Sequence, residues 1–100
     1  MILVTGSVQT RAETLAQALA ISIEHVQRSR RESGCLSHDV SQDAQDPLRL
    51  LFVERWASQE ALLAHFAVPE SRAFAKALGG LAAARPTIEI YKAEGLELLP

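Results

Sequence analysis

The segment from residue 12 to residue 26 places the strongest constraint on how this 100-residue chain folds. Its apolar side chains recur at intervals of three and four residues, which is typical of one face of an amphipathic helix. They are Ala12, Leu15, Ala16, Leu19, Ile23 and Val26. Thr10 and Glu13 have the spacing of a reciprocal capping box, so we predict that the helix begins at Thr10. Gly34 is expected just after its C-terminus, because glycine adopts the left-handed conformation at little cost.

Four other segments have the composition or alternation of β-strands. They are residues 1–9, 35–41, 48–56 and 87–93. In the second segment, the alternation places Leu36 and His38 on one face. In the third and longest, Glu54 and Trp56 share a face with apolar residues. The polar run 41–47 ends in proline and is predicted to be the loop of a hairpin.

Two further helices are predicted between the third and fourth strands. Ser58 is a good N-cap for a short helix that extends to about Phe66. Pro69 suits the first turn of another helix, which should reach Leu78 and stop at the pair Gly79-Gly80. The order β-α-β-β-α-β predicts a ferredoxin-like α+β fold, with a four-stranded antiparallel sheet and the helices on one face.

Composition limits which partners and which cellular location are expected for this chain. Hydrophobic residues make up 48% of the chain, and the second face of the sheet has no helix to cover it, so we expect one domain (1–100) that forms a homodimer through this open face. The net charge of −2 gives no reason to expect nucleic acid as a partner. No apolar run is long enough for a membrane helix, and no signal peptide is recognised. The single cysteine suits a reducing compartment, and a cytoplasmic location is therefore expected.

The candidate site residues are two histidines, a carboxylate and two aromatic side chains. Glu54 and Trp56, followed by His65 and Phe66 on the next helix, can line one cavity between strand and helix. An inward Glu54 needs a partner, because an unpaired buried carboxylate is unfavourable. His38 lies in a strand, where it is either a proton-transfer group, an interface residue or a hydrogen-bonded core residue. The alternative is that these side chains form only a structural cluster.

Other reactive side chains give weaker signals. His25 follows Glu24 on the first helix and is expected to be solvated. The three histidines lack the spacing of a metal motif and no cysteine pair supports one, so no metal is expected. Cys35 is expected to be a small apolar filler. The chain has neither a P-loop nor a dinucleotide-binding glycine pattern, and we expect no cofactor.

Three segments together resemble the antibiotic biosynthesis monooxygenase domain family. They are RRESGCLSHDV (30–40), FVERWASQEALLAHF (52–66) and PESRAFAKAL (69–78). The first resembles the family's Glu-x-Gly-Cys-Leu motif. The second resembles its pattern of an apolar strand, Glu, one residue, Trp, a helix cap and a His nine residues after the Trp.

This resemblance implies a dimeric α-β barrel that oxidises a quinol-like or polycyclic aromatic small molecule with O₂, without metal or flavin. Glu54, Trp56 and His65 match the family pattern, with Phe66 beside them. For this reaction we expect His38, Glu54 and His65 to be catalytic, with His38 or His65 as the base and Glu54 as its orienting partner. Trp56 and Phe66 are expected to bind the substrate. The chain departs from the family pattern in having His38 where relatives commonly have Tyr, and in containing no Asn. Two alternatives keep the fold. One is a non-catalytic dimer that binds a hydrophobic ligand or haem, with His65 as axial ligand, and the other is a small-molecule isomerase.

Overall fold

The protein folds into a four-stranded antiparallel sheet with three helices, seen in a computed structural model that describes residues 1–100. The elements are β1 (Ile2–Gln9), α1 (Leu15–Ser29), β2 (Cys35–Gln42), β3 (Arg49–Trp56), α2 (Gln59–Ala67), α3 (Pro69–Leu81) and β4 (Thr87–Lys92). The strand order is β2-β3-β1-β4. The predicted ferredoxin-like α+β fold is confirmed. None of the helices has the length and hydropathy needed to cross a lipid bilayer.

Strand β3 runs through the middle of the sheet and has the alternation expected from its sequence. Leu50, Phe52, Glu54 and Trp56 are all buried, whereas the residues between them are half-buried or exposed. A strand with paired neighbours on both sides and helices above one face requires apolar side chains on that face. Glu54 is therefore a carboxylate placed among core residues, and its charge state depends on the groups that contact it.

Strand β2 contains a β-bulge that the sequence did not predict. Cys35 lies opposite Trp56 and Ser37 lies opposite Arg55, which leaves Leu36 without a partner. The expectation that Leu36 shares a face with His38 is wrong, because the extra residue changes the parity of the strand and leaves Leu36 59% exposed.

Helix α1 begins at Leu15 with Thr14 as its N-cap, and the prediction that it begins at Thr10 is wrong. The Thr10 hydroxyl donates instead to the Leu48 carbonyl at 2.7 Å, and Thr10 forms an isolated antiparallel bridge with Ala82. These partners are distant in sequence, so local capping signals gave no indication of them.

The glycine predictions have mixed outcomes. Gly34 has a φ of +83°, as expected for a left-handed residue, but α1 ends at Ser29 and the glycine lies in the turn before β2. A Cβ atom on Gly34 would lie 2.5 Å from the Cβ of Ala61 on α2. Helix α3 continues through Gly79 and Gly80 to Leu81, so the predicted stop at Leu78 is wrong.

The apolar core consists of two clusters between the sheet and the helices. The larger contains Val8, Ala18, Val26, Leu50, Phe52 and Leu78. The smaller contains Ile2, Val4, Trp56 and Leu62. Helix α2 is positioned over the smaller cluster by its N-cap, since the Ser58 hydroxyl accepts a hydrogen bond from the Ala61 amide at 3.1 Å. The buried histidines described below share the same side of the sheet.

Candidate active site

A buried carboxylate forms the centre of the site. Glu54 on β3 faces His38 on β2 across the strand pair, and its Oε1 lies 3.3 Å from Nε2 of that ring. The indole Nε1 of Trp56 donates to the same oxygen at 2.9 Å. Two positions along one strand face bring the indole and carboxylate together, and the neighbouring strand supplies the imidazole. The prediction that Glu54 and Trp56 share a face is confirmed by this hydrogen bond.

The surroundings of Glu54 favour its charged form. Burial by itself would raise the pKa of this carboxyl, because it removes the water that stabilises the negative charge. The adjacent His38 ring and the Trp56 N–H outweigh burial, and the pKa of Glu54 is lower than its ordinary value. Glu54 is therefore a carboxylate at neutral pH.

His38 is almost completely enclosed, at 1% exposure. Despite the short distance to Glu54, the direction of the contact is poor for a hydrogen bond, and neither ring nitrogen has a hydrogen-bond partner. A buried polar side chain without partners is uncommon in proteins and points to a functional role.

His65 on α2 has a very different environment. Its Nδ1 lies 2.9 Å from Oε1 of Glu32, and the other oxygen of Glu32 accepts from Arg28 at 2.9 Å. The ring also packs on Trp56, with 4.6 Å between ring centroids. Because a carboxylate can only accept, Nδ1 of His65 carries the proton and its Nε2 is the nitrogen left for a ligand.

Glu32 belongs to the Glu-x-Gly-Cys-Leu motif but was not expected to be part of the site. Its contact with His65 gives the acidic position of that motif a physical role, and the left-handed turn at Gly34 follows two residues later. The motif marks Glu32 in the sequence, but nothing in the sequence indicates that its partner is His65 on α2.

His25 was also missed, and the expectation that it is solvated is wrong. Its side chain is buried, and its ring stacks on Phe74 at 3.9 Å with an interplanar angle of 6°. Burial, together with the neighbouring His38 and His65 rings and the Arg28 guanidinium, lowers the pKa of His25 to about 3. His25 is therefore neutral at pH 7. Since Arg28 can only donate, Nδ1 of His25 accepts its hydrogen bond at 3.0 Å.

The buried face of α1 explains why His25 points inward. Residues spaced by three and four along that face have small or polar side chains, namely Ala18, Ser22, His25 and Ser29. Ile23, which the apolar stripe placed in the core, is instead 43% exposed. Small residues on this face leave room for an imidazole between helix and sheet. The spacing of these small residues is the sequence feature from which an inward His25 could have been predicted.

The three histidines converge although they come from three different elements. The ring centroid of His25 lies 5.3 Å from that of His38 and 5.3 Å from that of His65, and the last two are 5.5 Å apart. One nitrogen of each ring can be chosen so that all three lie within 4.8 Å of one another. The absence of a metal-binding spacing in the sequence therefore did not exclude a histidine cluster.

A cavity of about 210 Å³ adjoins this cluster. Its polar walls include His25, His38 and Glu54. Its remaining walls include the apolar side chains Val8, Phe52, Phe74, Leu78 and Ile88. The strand residue Gly6 also lines the cavity, and a Cβ atom there would lie 3.1 Å from the Thr87 carbonyl oxygen.

The other predicted site residues lie outside this lining. Trp56 is fully buried beneath Glu54, and His65 packs against it. Phe66 is 36% exposed on α2, next to the His65 ring. A larger groove of about 610 Å³ is lined by residues of the β1 and β4 ends and the start of α2, but it contains no histidine. Only His38 and Glu54 of the five predicted residues face the cavity that holds the titratable groups.

Comparison with known proteins agrees with this architecture. The family described as antibiotic biosynthesis monooxygenase matches residues 1–77 of the chain. The chain belongs to the antibiotic biosynthesis monooxygenase family. A crystal structure of an inferred antibiotic biosynthesis monooxygenase from Deinococcus radiodurans is similar over the full length of both chains, with 29% identity and a TM-score of 0.93.

Two further comparisons agree with this family and fold. The structure of Rv0793 from Mycobacterium tuberculosis matches with a TM-score of 0.88 and 21% identity, over 95% of this chain and 96% of that one. The uncharacterized protein sll1783 of Synechocystis sp. is 31% identical over 91 residues. That match includes 91% of this chain but only 62% of the Synechocystis protein. The fold and family are thus established, and the reaction has to be argued from the site.

Proposed function

We propose that this member of the antibiotic biosynthesis monooxygenase family oxidises an electron-rich aromatic small molecule, such as a quinol or a polycyclic phenol, with O₂ and without a cofactor. The observation that carries the proposal is His38, a buried imidazole with no hydrogen-bond partner, on the wall of a mainly apolar cavity. An imidazole with a free lone pair can take the proton of a phenol whose ring contacts the apolar walls.

The proposed reaction needs a base because a phenolate gives up an electron far more readily than a phenol. His38 takes the hydroxyl proton, and the phenolate transfers one electron to O₂ to form an aryloxyl radical and superoxide. Their recombination forms a C–O bond, and the protonated His38 returns its proton to the resulting peroxide. Loss of water from this hydroperoxide leaves a quinone and a neutral His38. The sum is one phenol and one O₂ giving one quinone and one water, so no external reductant is needed.

Glu54 is proposed to stabilise the protonated form of His38. Its carboxylate lies 3.3 Å from Nε2, and a negative charge in a poorly hydrated site favours a neighbouring imidazolium. Trp56 holds that carboxylate by its N–H and is a positioning residue in this scheme, since it does not line the cavity. The expected substrate-binding role of Trp56 is therefore not part of the proposal.

Oxygen consumption tests the proposal directly. A panel of dihydroxynaphthalenes and anthrones is supplied to the protein in an oxygen electrode, and the quinone product is identified by mass spectrometry. His38→Gln should reduce uptake by about 10²–10⁴-fold, the usual contribution of a general base. Cys35→Ser is the matched control on the same strand and should retain uptake. Uptake by the wild type that is no faster than that of His38→Gln contradicts the proposal.

The two alternative functions receive less support from the structure. Haem binding through His65 requires that ring to face a large cavity, but the ring packs against Trp56 and does not line the cavity beside the histidine cluster. A cavity of about 210 Å³ is also too small to enclose a haem macrocycle. An isomerase would use the same base without O₂, so turnover under anaerobic conditions distinguishes it from an oxygenase.

We further propose that a second copy of the chain covers the open face of the sheet. Val53 and Tyr91 are 38% and 45% exposed there, beside the half-buried Leu3. Arg55 and Glu89 flank them, and a face with charges of both signs can pair with itself across a two-fold axis. Light scattering should give twice the chain mass of 10.9 kDa. Val53→Lys should give a monomer, whereas a wild-type monomer contradicts the proposal.

A further inference from the structure

A cluster of three buried imidazoles is not needed for the proposed oxidation, which uses only one of them. His25 and His65 contribute rings from α1 and α2, and His38 contributes one from β2. Each is at most 7% exposed. Burying three imidazoles side by side is unfavourable unless their polar nitrogens find partners, such as hydrogen-bonding groups or a common ligand.

We propose that His25, His38 and His65 bind a divalent first-row transition-metal ion of the zinc class. One nitrogen from each ring can be chosen so that all three lie within 4.8 Å of one another. Three imidazoles are a ligand set that suits Zn²⁺, Co²⁺ and Cu²⁺, and three protein ligands leave a fourth position for water or another ligand.

The second observation that supports this site is the state of His38. Both of its ring nitrogens are buried and without hydrogen-bond partners. A metal bond to one of them would remove half of this deficit. Glu54 Oε1, which lies 3.3 Å from Nε2, is close enough to become the fourth ligand or to contact a bound water.

His65 has the support that metal-bound histidines usually have. Its Nδ1 donates to Glu32, which fixes the ring and directs Nε2 to a ligand, and Glu32 is itself held by Arg28. Such a carboxylate–histidine pair orients the ring and increases the basicity of the ligating nitrogen. The ring of His25 is likewise fixed, by stacking on Phe74.

Metal binding requires two local adjustments. Nitrogens around a tetrahedral ion at 2.0–2.1 Å lie about 3.4 Å apart, so the widest pair has to approach by roughly 1.4 Å. Binding through Nε2 of His25 also moves the proton of that ring to Nδ1, which ends the hydrogen bond from Arg28. Arg28 retains its contacts with Glu32 and Ser71.

The metal site does not depend on the proposed oxidation. A metal bound to His38 occupies the lone pair that would accept the phenol proton, so the two uses of this ring exclude each other. Metal binding is measured without substrate and oxygen uptake without metal. Failure of one proposal therefore leaves the other to be decided by its own measurement.

Cobalt provides the optical test. Co²⁺ is titrated into the full chain after EDTA treatment and buffer exchange, and the visible absorption of four-coordinate Co²⁺ should reach its plateau at one ion per chain. Cys35→Ser is the matched control, because it removes the only thiol, and it should bind as the wild type does. His38→Gln and His65→Gln should abolish the visible bands. Absorption that survives both substitutions overturns the proposal.

Zinc provides a test that does not need a folded variant. Addition of Zn²⁺ should shift the ring ¹⁵N resonances of all three histidines in the wild type. It should also raise the melting temperature by on the order of 10 °C at one hundred times the dissociation constant. Shifts in fewer than three rings, or no rise in melting temperature, overturn the proposal even if every variant unfolds.

Discussion

His25 makes the stability of the metal-free protein depend on pH in a direction that can be calculated. Its pKa is about 3 in the folded chain, against an ordinary value of 6.5. The unfolded chain therefore binds a proton at His25 more readily than the folded chain does, and acid favours unfolding. Stability is unaffected by this group above pH 6.5 and declines as the pH falls from 6.5 toward 3. Integration from pH 7 to pH 4 gives a loss of about 3 kcal/mol.

The measurement is urea unfolding at pH 7, 5.5 and 4 in buffers that contain EDTA, for the wild type and His25→Gln. The glutamine retains an oxygen that can accept from Arg28, and it does not titrate. His38 and His65 remain in both proteins, and burial is the largest cause of the lowered pKa of His25, so most of the difference comes from this ring. The wild type should lose about 3 kcal/mol more than the variant between pH 7 and pH 4, which is a large part of the 5–15 kcal/mol usual for small domains. Equal losses refute the argument that His25 is buried and neutral.

Three further substitutions, two of them paired with a comparison variant, test other parts of the structure. Gly34→Ala should destabilise the fold by at least about 2 kcal/mol in urea unfolding, because Gly34 has a positive φ and an added Cβ would collide with Ala61. Gly79→Ala is the comparison variant. It lies in an open helical position and should stabilise the fold by about 0.5–1 kcal/mol. A neutral Gly34→Ala contradicts this. Glu54→Gln should lower oxygen uptake by on the order of 10²-fold with little change in melting temperature, and unchanged uptake removes Glu54 from the mechanism. Ser58→Ala should cost about 1 kcal/mol, and Ser58→Asp should not; equal losses would show that the cap is not the cause.

The order of the elements could be predicted from the sequence because each element has its own periodicity. The inward face of β3 is the clearest example, since apolar residues alternate there and Glu54 follows their parity. Boundaries were less predictable, as Thr10 shows. Its capping pattern is local, but in the structure its hydroxyl donates to the Leu48 carbonyl. Leu48 is 38 residues away, so the neighbouring sequence does not indicate this partner.

The candidate site was predictable only in part, for a related reason. Glu54 and Trp56 belong to one strand, so spacing alone brings them together. His25 comes from a helix that packs over the sheet, and its inward direction depends on how α1 is rotated. The stripe of apolar residues predicted a rotation of α1 about its axis that places Ile23 inside. In the structure the helix is rotated so that the small side chains of Ala18 and Ser22 face the core.

The unpaired Leu36 has a consequence for how this scaffold can change. Cys35 and His38 are three residues apart, so in a regular strand their side chains would project in opposite directions. The extra residue lets both point toward the helices, opposite Trp56 and Glu54. Deleting Leu36 would remove the bulge and keep the existing pairs, with Ser37 opposite Arg55 and His38 opposite Glu54. The strand can therefore lose the residue at position 36 without a change in the side chains at the cavity wall.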